Sequence, residues 1–376
     1  MTDLHVTTGH ILALRLFDVA YGIDIVRAEA LWAAHATGRT SRARLTATPP
    51  KAMAFGVEPL TIMLDPVTIP LDHLPPGWPP VEAVVTARLY DFGTVSLAMR
   101  IPTPNLAWPD YVDLLNTIDA AVGQASGTRM WEKMLADLRL VIAGALVRPT
   151  PSSVWEDYLI GVVSAFDERF TAAEILQRVD LVPLLSGETR VLSDGARTDL
   201  LRQRFSYYVD DLVVLTWDRA FIYEPRGDSD VADVLEVANA QLLQMRYYDE
   251  LLDDELPRMY DLVEATRSTW NLLAARRYAE LARKLYTLVA EVTELTEKVD
   301  NALQVTEDVY LARIYAAALD LYRVPTVSRA VQRKLAIIRD TYTALYDEAS
   351  SSRSQMMEAA ILLLIFVELM LAVLRH

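Results

Sequence analysis

The stretch VEAVVTARLYDFGTVSLAMRIP (Val81–Pro102) alternates apolar and polar residues, turns at Asp91–Phe92–Gly93, and alternates again. Period-two alternation marks a strand with one buried face, and glycine accepts the positive φ that a tight hairpin needs. The triplet also spells the DFG of protein kinases. No glycine-rich loop, HRD-type loop or strand lysine accompanies it, so hairpin chemistry is what it supports.

Outward from this hairpin, HILALRLFDVA (10–20) predicts a strand and GIDIVRAEALWAAHA (22–36) a helix. Four prolines make LDHLPPGWPP (71–80) an irregular loop. Helical patterns follow at WPDYVDLLNTIDAAV (108–122) and RMWEKMLADLRLVIAGAL (129–146). The order then recurs. VWEDYLIGVVSAF (154–166) predicts a strand, and TAAEILQRVDLVPLL (171–185) opens a helix with Thr171 and Glu174 spaced as a capping box. FSYYVDDLVVLTWDRAFIYEP (205–225) predicts a strand pair turning near Asp218–Arg219, with Trp217, Phe221 and Tyr223 as sheet core or sheet face. Strand–helix–strand–strand–helix, twice over, predicts an α+β fold with a duplicated ferredoxin-like (split βαβ) head, its units at 1–150 and 151–229.

From Asp230 onward the pattern is helical. Leu281, Leu285, Leu288, Val292, Leu295 and Val299 keep a 4-3-4-3-4 spacing, which predicts a long helical coiled-coil stalk over 230–354. The chain closes with EAAILLLIFVELMLAVLRH (358–376). Met356–Leu374 would reach about 28 Å as a helix, close to the thickness of a bilayer core. Its apolar residues contribute roughly −3 to −7 kcal/mol toward insertion, against roughly 3 kcal/mol for one central carboxylate. The expectation is one C-terminal transmembrane helix at 355–376, a tail anchor with the bulk of the chain cytoplasmic. Glu358, Ile361, Ile365, Glu368 and Ala372 share one stripe of that helix, and carboxylates in a span face protein or water, so the stripe is the expected membrane-helix interface.

Composition narrows the function. The formal net charge is −15 over 376 residues, which disfavours direct binding of nucleic acid. The absence of cysteine removes disulfides, thiol nucleophiles and cysteine-held metals. His5, His10, His35, His73 and His376 fall in no metal-ligand spacing. The acidic run YYDELLDDELP (247–257) lacks the spacing and central glycine of a calcium loop and reads as a solvated helix face. With no nucleophile elbow, phosphate loop or dinucleotide fingerprint, no catalytic residue, metal or cofactor is assigned and no enzymatic activity is expected.

ANAQLLQMRYYDELLDDELPRMYDLVE (238–264), RRYAELARKLYTL (276–288), KVDNALQVTEDVYLARIYAAALDLYRV (298–324) and the acid-interrupted apolar end resemble the family called required for meiotic nuclear division, or domain of unknown function 155. The resemblance is strongest from Phe205 to Leu374; before that it rests on the hairpin ARLYDFGTVSLAMRIP. It implies a membrane-anchored protein that assembles into homo-oligomers. Eukaryotic members are largely mitochondrial, and no transit peptide is readable here, which points to a bacterial relative. The expected function is a membrane-anchored homo-oligomeric scaffold or tether whose partners are the bilayer and further copies of itself. The alternative is a cation channel or transporter component of loosely CorA-like architecture.

Overall fold

A computed structural model describes residues 4–35, 40–42, 53–54, 57–69, 81–123, 125–150, 154–227, 230–267, 304–305 and 308–374, with parts of 280–293. The strands are β1 (His5–Asp18), β2 (Ala20–Ile23), β3 (Thr40–Arg42), β4 (Met53–Ala54), β5 (Leu60–Met63), β6 (Val67–Ile69), β7 (Val81–Leu89), β8 (Thr94–Thr103), β9 (Leu106–Ala107), β10 (Leu146–Pro149), β11 (Trp155–Phe166), β12 (Arg204–Phe205), β13 (Leu212–Leu215), β14 (Arg219–Tyr223) and β15 (Gln304–Val305). The helices are α1 (Ile25–His35), α2 (Trp108–Gly123), α3 (Ala125–Ile142), α4 (Ala172–Arg178), α5 (Val182–Ser186), α6 (Asp194–Leu200), α7 (Val231–Arg267), α8 (Val309–Leu321) and α9 (Val324–Leu374). The chain divides into two units, one of residues 1–247 and 298–325, the other of 248–297 and 326–376.

The first unit is built on one mixed sheet in the order β12-β13-β14-β11-β1-β8-β7-β5-β3, with β6 added to β7 and β9 to β1. β1 lies at its centre, antiparallel to β8 on one edge and to β11 on the other, while β11 and β14 run parallel. The strands expected in two ferredoxin-like units thus enter one sheet, joined where β1 pairs along β11. This overturns the duplicated ferredoxin-like head. Periodicity places strands but does not say which strand an edge will pair with.

The hairpin forms as its sequence demands. Gly93 takes φ +91°, Tyr90 N–H donates to Thr94 O at 2.9 Å, and Val19 N–H reaches Gly93 O at 3.0 Å. A Cβ on Gly93 would stand 1.7 Å from Ala20 O, so glycine is required both for the turn and for the chain that crosses it. Beside the central strand, a Cβ on Gly161 would meet Leu115 at 2.9 Å, so its absence lets α2 lie close on β11.

Both faces of the sheet are covered along the second half of the central strand, which is buried continuously from Ala13 to Asp18 instead of alternating. On one face Ile11, Ala13, Phe17, Leu159 and Val163 meet Tyr111, Leu115 and Ile118 of α2 in a continuous core. Tyr111 OH donates to His10 O and Val162 O, each at 3.2 Å, and Trp108 packs edge-on to Phe221. The other face carries α7 from Val231 to Tyr247, buried nearly all round. Tyr315 of α8 donates to Gln241 of that segment at 2.6 Å.

This second face contains polar groups that meet their partners. Arg88 of β7 pairs with Glu236 and Asp233 of α7, both at 2.8 Å, and Tyr90 OH donates to Glu236 at 3.0 Å. Gln244 donates to Thr94 at 2.7 Å and to Asp18 at 3.1 Å, while Thr150 OH donates to Asp18 at 2.7 Å. Burial, opposed by those hydrogen bonds and by Arg139, pushes the Asp18 carboxyl up to about 6.

In the second unit Lys334 of α9 pairs with Asp249 and Asp253 of α7 at 2.6 and 2.7 Å. No coiled-coil stalk is present among the described residues. Leu281, Leu285, Leu288, Leu295 and Val299 lie outside them, and Val292 is buried. A heptad-like row is equally the buried stripe of an ordinary packed helix, which is why spacing alone misled. The tail anchor and the membrane localisation are also overturned, since no described helix is long and apolar enough to cross a membrane. The apolar end is no separate element, for α9 runs unbroken through SSSRS (350–354), the expected border between stalk and anchor. Glu358, Ile361 and Ile365 are exposed on this helix, and the side chains of Glu368 and Ala372 lie outside the description. The Pro-rich 71–80 segment, with His73, is likewise outside it.

Two outcomes test the polar face. Arg88→Met strands the Glu236 carboxylate and should cost about 3–5 kcal/mol in urea unfolding, while the double variant with Glu236→Met should recover more than half, because two apolar chains leave no unpaired charge. Asp18 titrates above its ordinary value of 3.8 in the folded chain, so its stabilising contribution is full below that value and is lost as pH rises through about 6. Asp18→Asn should therefore gain on the parent chain by up to about 3 kcal/mol between pH 4 and pH 8. A gap that stays flat across this range would contradict the burial assigned to Asp18.

Candidate functional site

On the α2 face, a cavity of about 270 Å³ is lined by residues of five segments. β1 supplies Ala13 and Arg15, β11 supplies Asp157 and Leu159, α2 supplies Asp119, Val122 and Gly123, α3 supplies Trp131, and the β13–β14 turn supplies Trp217 and Asp218. Each is placed by a local rule. Arg15 and Asp157 are direct cross-strand partners, so their side chains leave the sheet on one face. Asp119 stands on the last turn of α2, whose carbonyl end favours positive charge in the cavity. Trp217 and Asp218 occupy the turn expected near Asp218–Arg219, and Leu159 N–H donates to Asp218 O at 3.1 Å.

Arg15 is an unusual wall. It is 1% exposed in the middle of an apolar strand. Its guanidinium carbon lies 4.2 Å from the Trp155 ring centroid and 5.5 Å from that of Trp131, so two indoles hold it by cation–π attraction. Its carboxylate contact is Nη2 to Asp157 at 3.3 Å. Its Nε, and the Nε1 of Trp131, are buried without a hydrogen-bond partner among the described residues. A buried donor left unmade costs about 1–3 kcal/mol. Burial lowers the affinity of Arg15 for its proton, and Asp157, Glu132 and Asp119 pull the other way.

The carboxylates are only partly neutralised. Arg219 takes Asp119 as an ion pair and also donates to Asn116 at 2.6 Å and Leu184 O at 2.9 Å. Burial pushes the Asp157 carboxyl up against the pull of Arg15, and the Asp119 charge pushes it further. Asp218 is raised by burial and then by Asp119, while the Thr216 hydroxyl at 3.1 Å and Arg219 oppose this. Three acids therefore share a small space with one arginine inside it and one at its edge. Such a site can receive a ligand that brings positive charge to the acids and an acceptor to the buried donors.

Apart from Trp217 and the turn at Asp218, the residues singled out by sequence lie elsewhere. The stripe Glu358/Ile361/Ile365 is on α9. The acidic run is engaged through Asp249 and Asp253 with Lys334, and among the described residues no group of three or more histidines and acids is arranged to hold a metal. His10 is pushed down to about 4 by burial and by the nearby Arg100 charge. Phe221 and Tyr223 are core as expected, whereas Trp217 is 72% exposed at the cavity rim. Arg15 and Asp157 carried one legible signal, namely a charge within the apolar strands HILALRLFDVA and VWEDYLIGVVSAF, whereas Asp119 and Trp131 sit in helical patterns and carried none. Their convergence was not legible.

Comparison with known proteins places this site in a family. The family described as "Uncharacterized protein MJ0711, N-terminal domain" matches residues 8–230. The "Uncharacterized protein MJ0711" of Methanocaldococcus jannaschii is 24% identical over 193 residues, which make up 51% of this chain and 58% of that relative. The match thus spans somewhat over half of the relative's length. No solved structure matches. The resemblance to the required for meiotic nuclear division family is overturned by these findings. It rested on helical segments after Phe205, whose leucine- and acid-rich pattern many helical proteins share. The chain belongs to the family of the MJ0711 N-terminal domain.

Proposed function

We propose that this member of the MJ0711 N-terminal domain family is a small-molecule-binding protein whose ligand occupies the Arg15 cavity. The observation that carries it is a 270 Å³ space in which a buried arginine, clamped by two indoles, stands among three incompletely neutralised carboxylates. Arg15 is costly to fold and contributes little to stability, because its guanidinium is buried while its carboxylate partner Asp157 is half exposed, so that the pair recovers little Coulomb energy. Convergent polar groups with shifted proton affinities in a cavity mark a binding site. The assignment is to binding, with no step of bond making attached to it.

Titration of the full chain with charged metabolite-sized compounds should change the fluorescence of Trp131, Trp155 or Trp217 saturably. Trp217→Ala should weaken the binding about tenfold and leave the circular dichroism spectrum unchanged. Ligand-induced changes that are indifferent to Trp217 and Asp218 would place any binding elsewhere.

A second reading, a homo-oligomeric scaffold, is supported by α9, where Ile361, Leu362, Leu364, Ile365, Val367 and Met370 are 45–67% exposed. Exposed apolar residues in such density favour association. Light scattering behind size exclusion should show a multimer that Leu362→Glu with Ile365→Glu shifts toward monomer; a parent chain that runs as a monomer removes this role. The cation-channel alternative presupposes a membrane span, which no described helix provides.

A further inference from the structure

The cavity wall carries two chemically distinct kinds of group. Arg15 Nε and Trp131 Nε1 are buried donors without partners among the described residues, and both side chains line the space. They call for an acceptor, and the guanidinium, fixed between two rings, is oriented before any ligand arrives. Asp119, near the C-terminus of α2, and Asp218 line the same space, with Arg219 neutralising only the first directly. They call for a donor that carries positive charge. Counting Arg15 and Arg219 against Asp119, Asp157 and Asp218 leaves the site one negative charge in excess, so a plain carboxylate is repelled overall. A plain diamine satisfies the acids and leaves both buried donors unmade.

We infer that the ligand is a small zwitterion, an amino acid or similar ammonium carboxylate, with its carboxylate toward Arg15 and Trp131 and its ammonium between Asp119 and Asp218. This rests on the cavity being a ligand site. The volume of about 270 Å³ lies just below the ~300 Å³ lower end of ligand pockets, which suits a small molecule such as glutamine or lysine. The carboxylate is held as a charge-assisted pair by the arginine, and the indole N–H adds a directional donor. The ammonium meets two carboxylates and the negative end of a helix.

Calorimetric titration of the full chain with glutamine, lysine, putrescine and succinate at pH 7 tests this. The two zwitterions should bind at least tenfold more tightly than the diamine and the dicarboxylate. Trp131→Phe keeps a ring over Arg15 but removes the N–H, and it should weaken the zwitterions about fivefold without affecting putrescine. Asp218→Asn, at a surface turn, should weaken glutamine and lysine about tenfold and putrescine equally. Tighter binding of putrescine or succinate than of either zwitterion, sensitive to Asp218→Asn or Trp217→Ala, would overturn the ligand class and leave the cavity reading standing. No heat and no fluorescence change with any of the four would overturn the zwitterion assignment, and the same silence across the wider compound panel would overturn the cavity reading as well.

Discussion

Strand β1 is paired along both edges and, from Ala13 to Asp18, buried on both faces, and the rest of the first unit is arranged about that constraint. A strand so enclosed has no freedom of register. A slip by one residue would turn Leu14 and Leu16 to the α2 face, and Arg15 toward α7. Charges make the penalty steep. Arg15 finds Asp157 only in the observed alignment with β11, and Asp18 meets Gln244 only in the observed alignment with α7.

The polar groups between sheet and α7 act as markers on an otherwise apolar contact. Val234, Leu235, Ala238 and Leu243 would pack acceptably at several offsets, since apolar burial is not directional. Glu236 and Gln244 are eight residues apart, close to two helical turns, and they meet Arg88 and Thr94 on adjacent strands. Displacing the helix by one turn would leave a buried carboxylate opposite apolar side chains, at a cost of several kcal/mol. Specificity of position, more than net stabilisation, is what such buried pairs contribute.

Local chemistry was legible in the sequence. The capping box at Thr171 forms with both of its reciprocal hydrogen bonds, because it depends on four consecutive residues. The hairpin at Asp91–Gly93 forms because alternation and a glycine specify it without outside help. What depends on distant partners was not legible. The pairing of β1 with β11 joins residues about 140 positions apart and carries no periodic signature, so two apparent repeats became one sheet. The terminal apolar run illustrates the same limit, since its length matched a bilayer while the helix that contains it begins at Val324.

The cavity sits where three features of this topology meet. The C-terminal part of α2 lies beside the paired residues Arg15 of the central strand and Asp157 of β11. The parallel placement of β14 beside β11 brings the β13–β14 turn, with Trp217 and Asp218, to the same edge. The chain there supplies charged and aromatic residues instead of the aliphatic ones that would close the gap. All the lining residues, from Ala13 to Asp218, fall inside the span that matches the family, residues 8–230, whereas α7, α8, α9 and the second unit lie beyond it. The span that defines the family therefore holds every residue that lines this cavity, while α7, beyond it, buries the opposite face of the sheet.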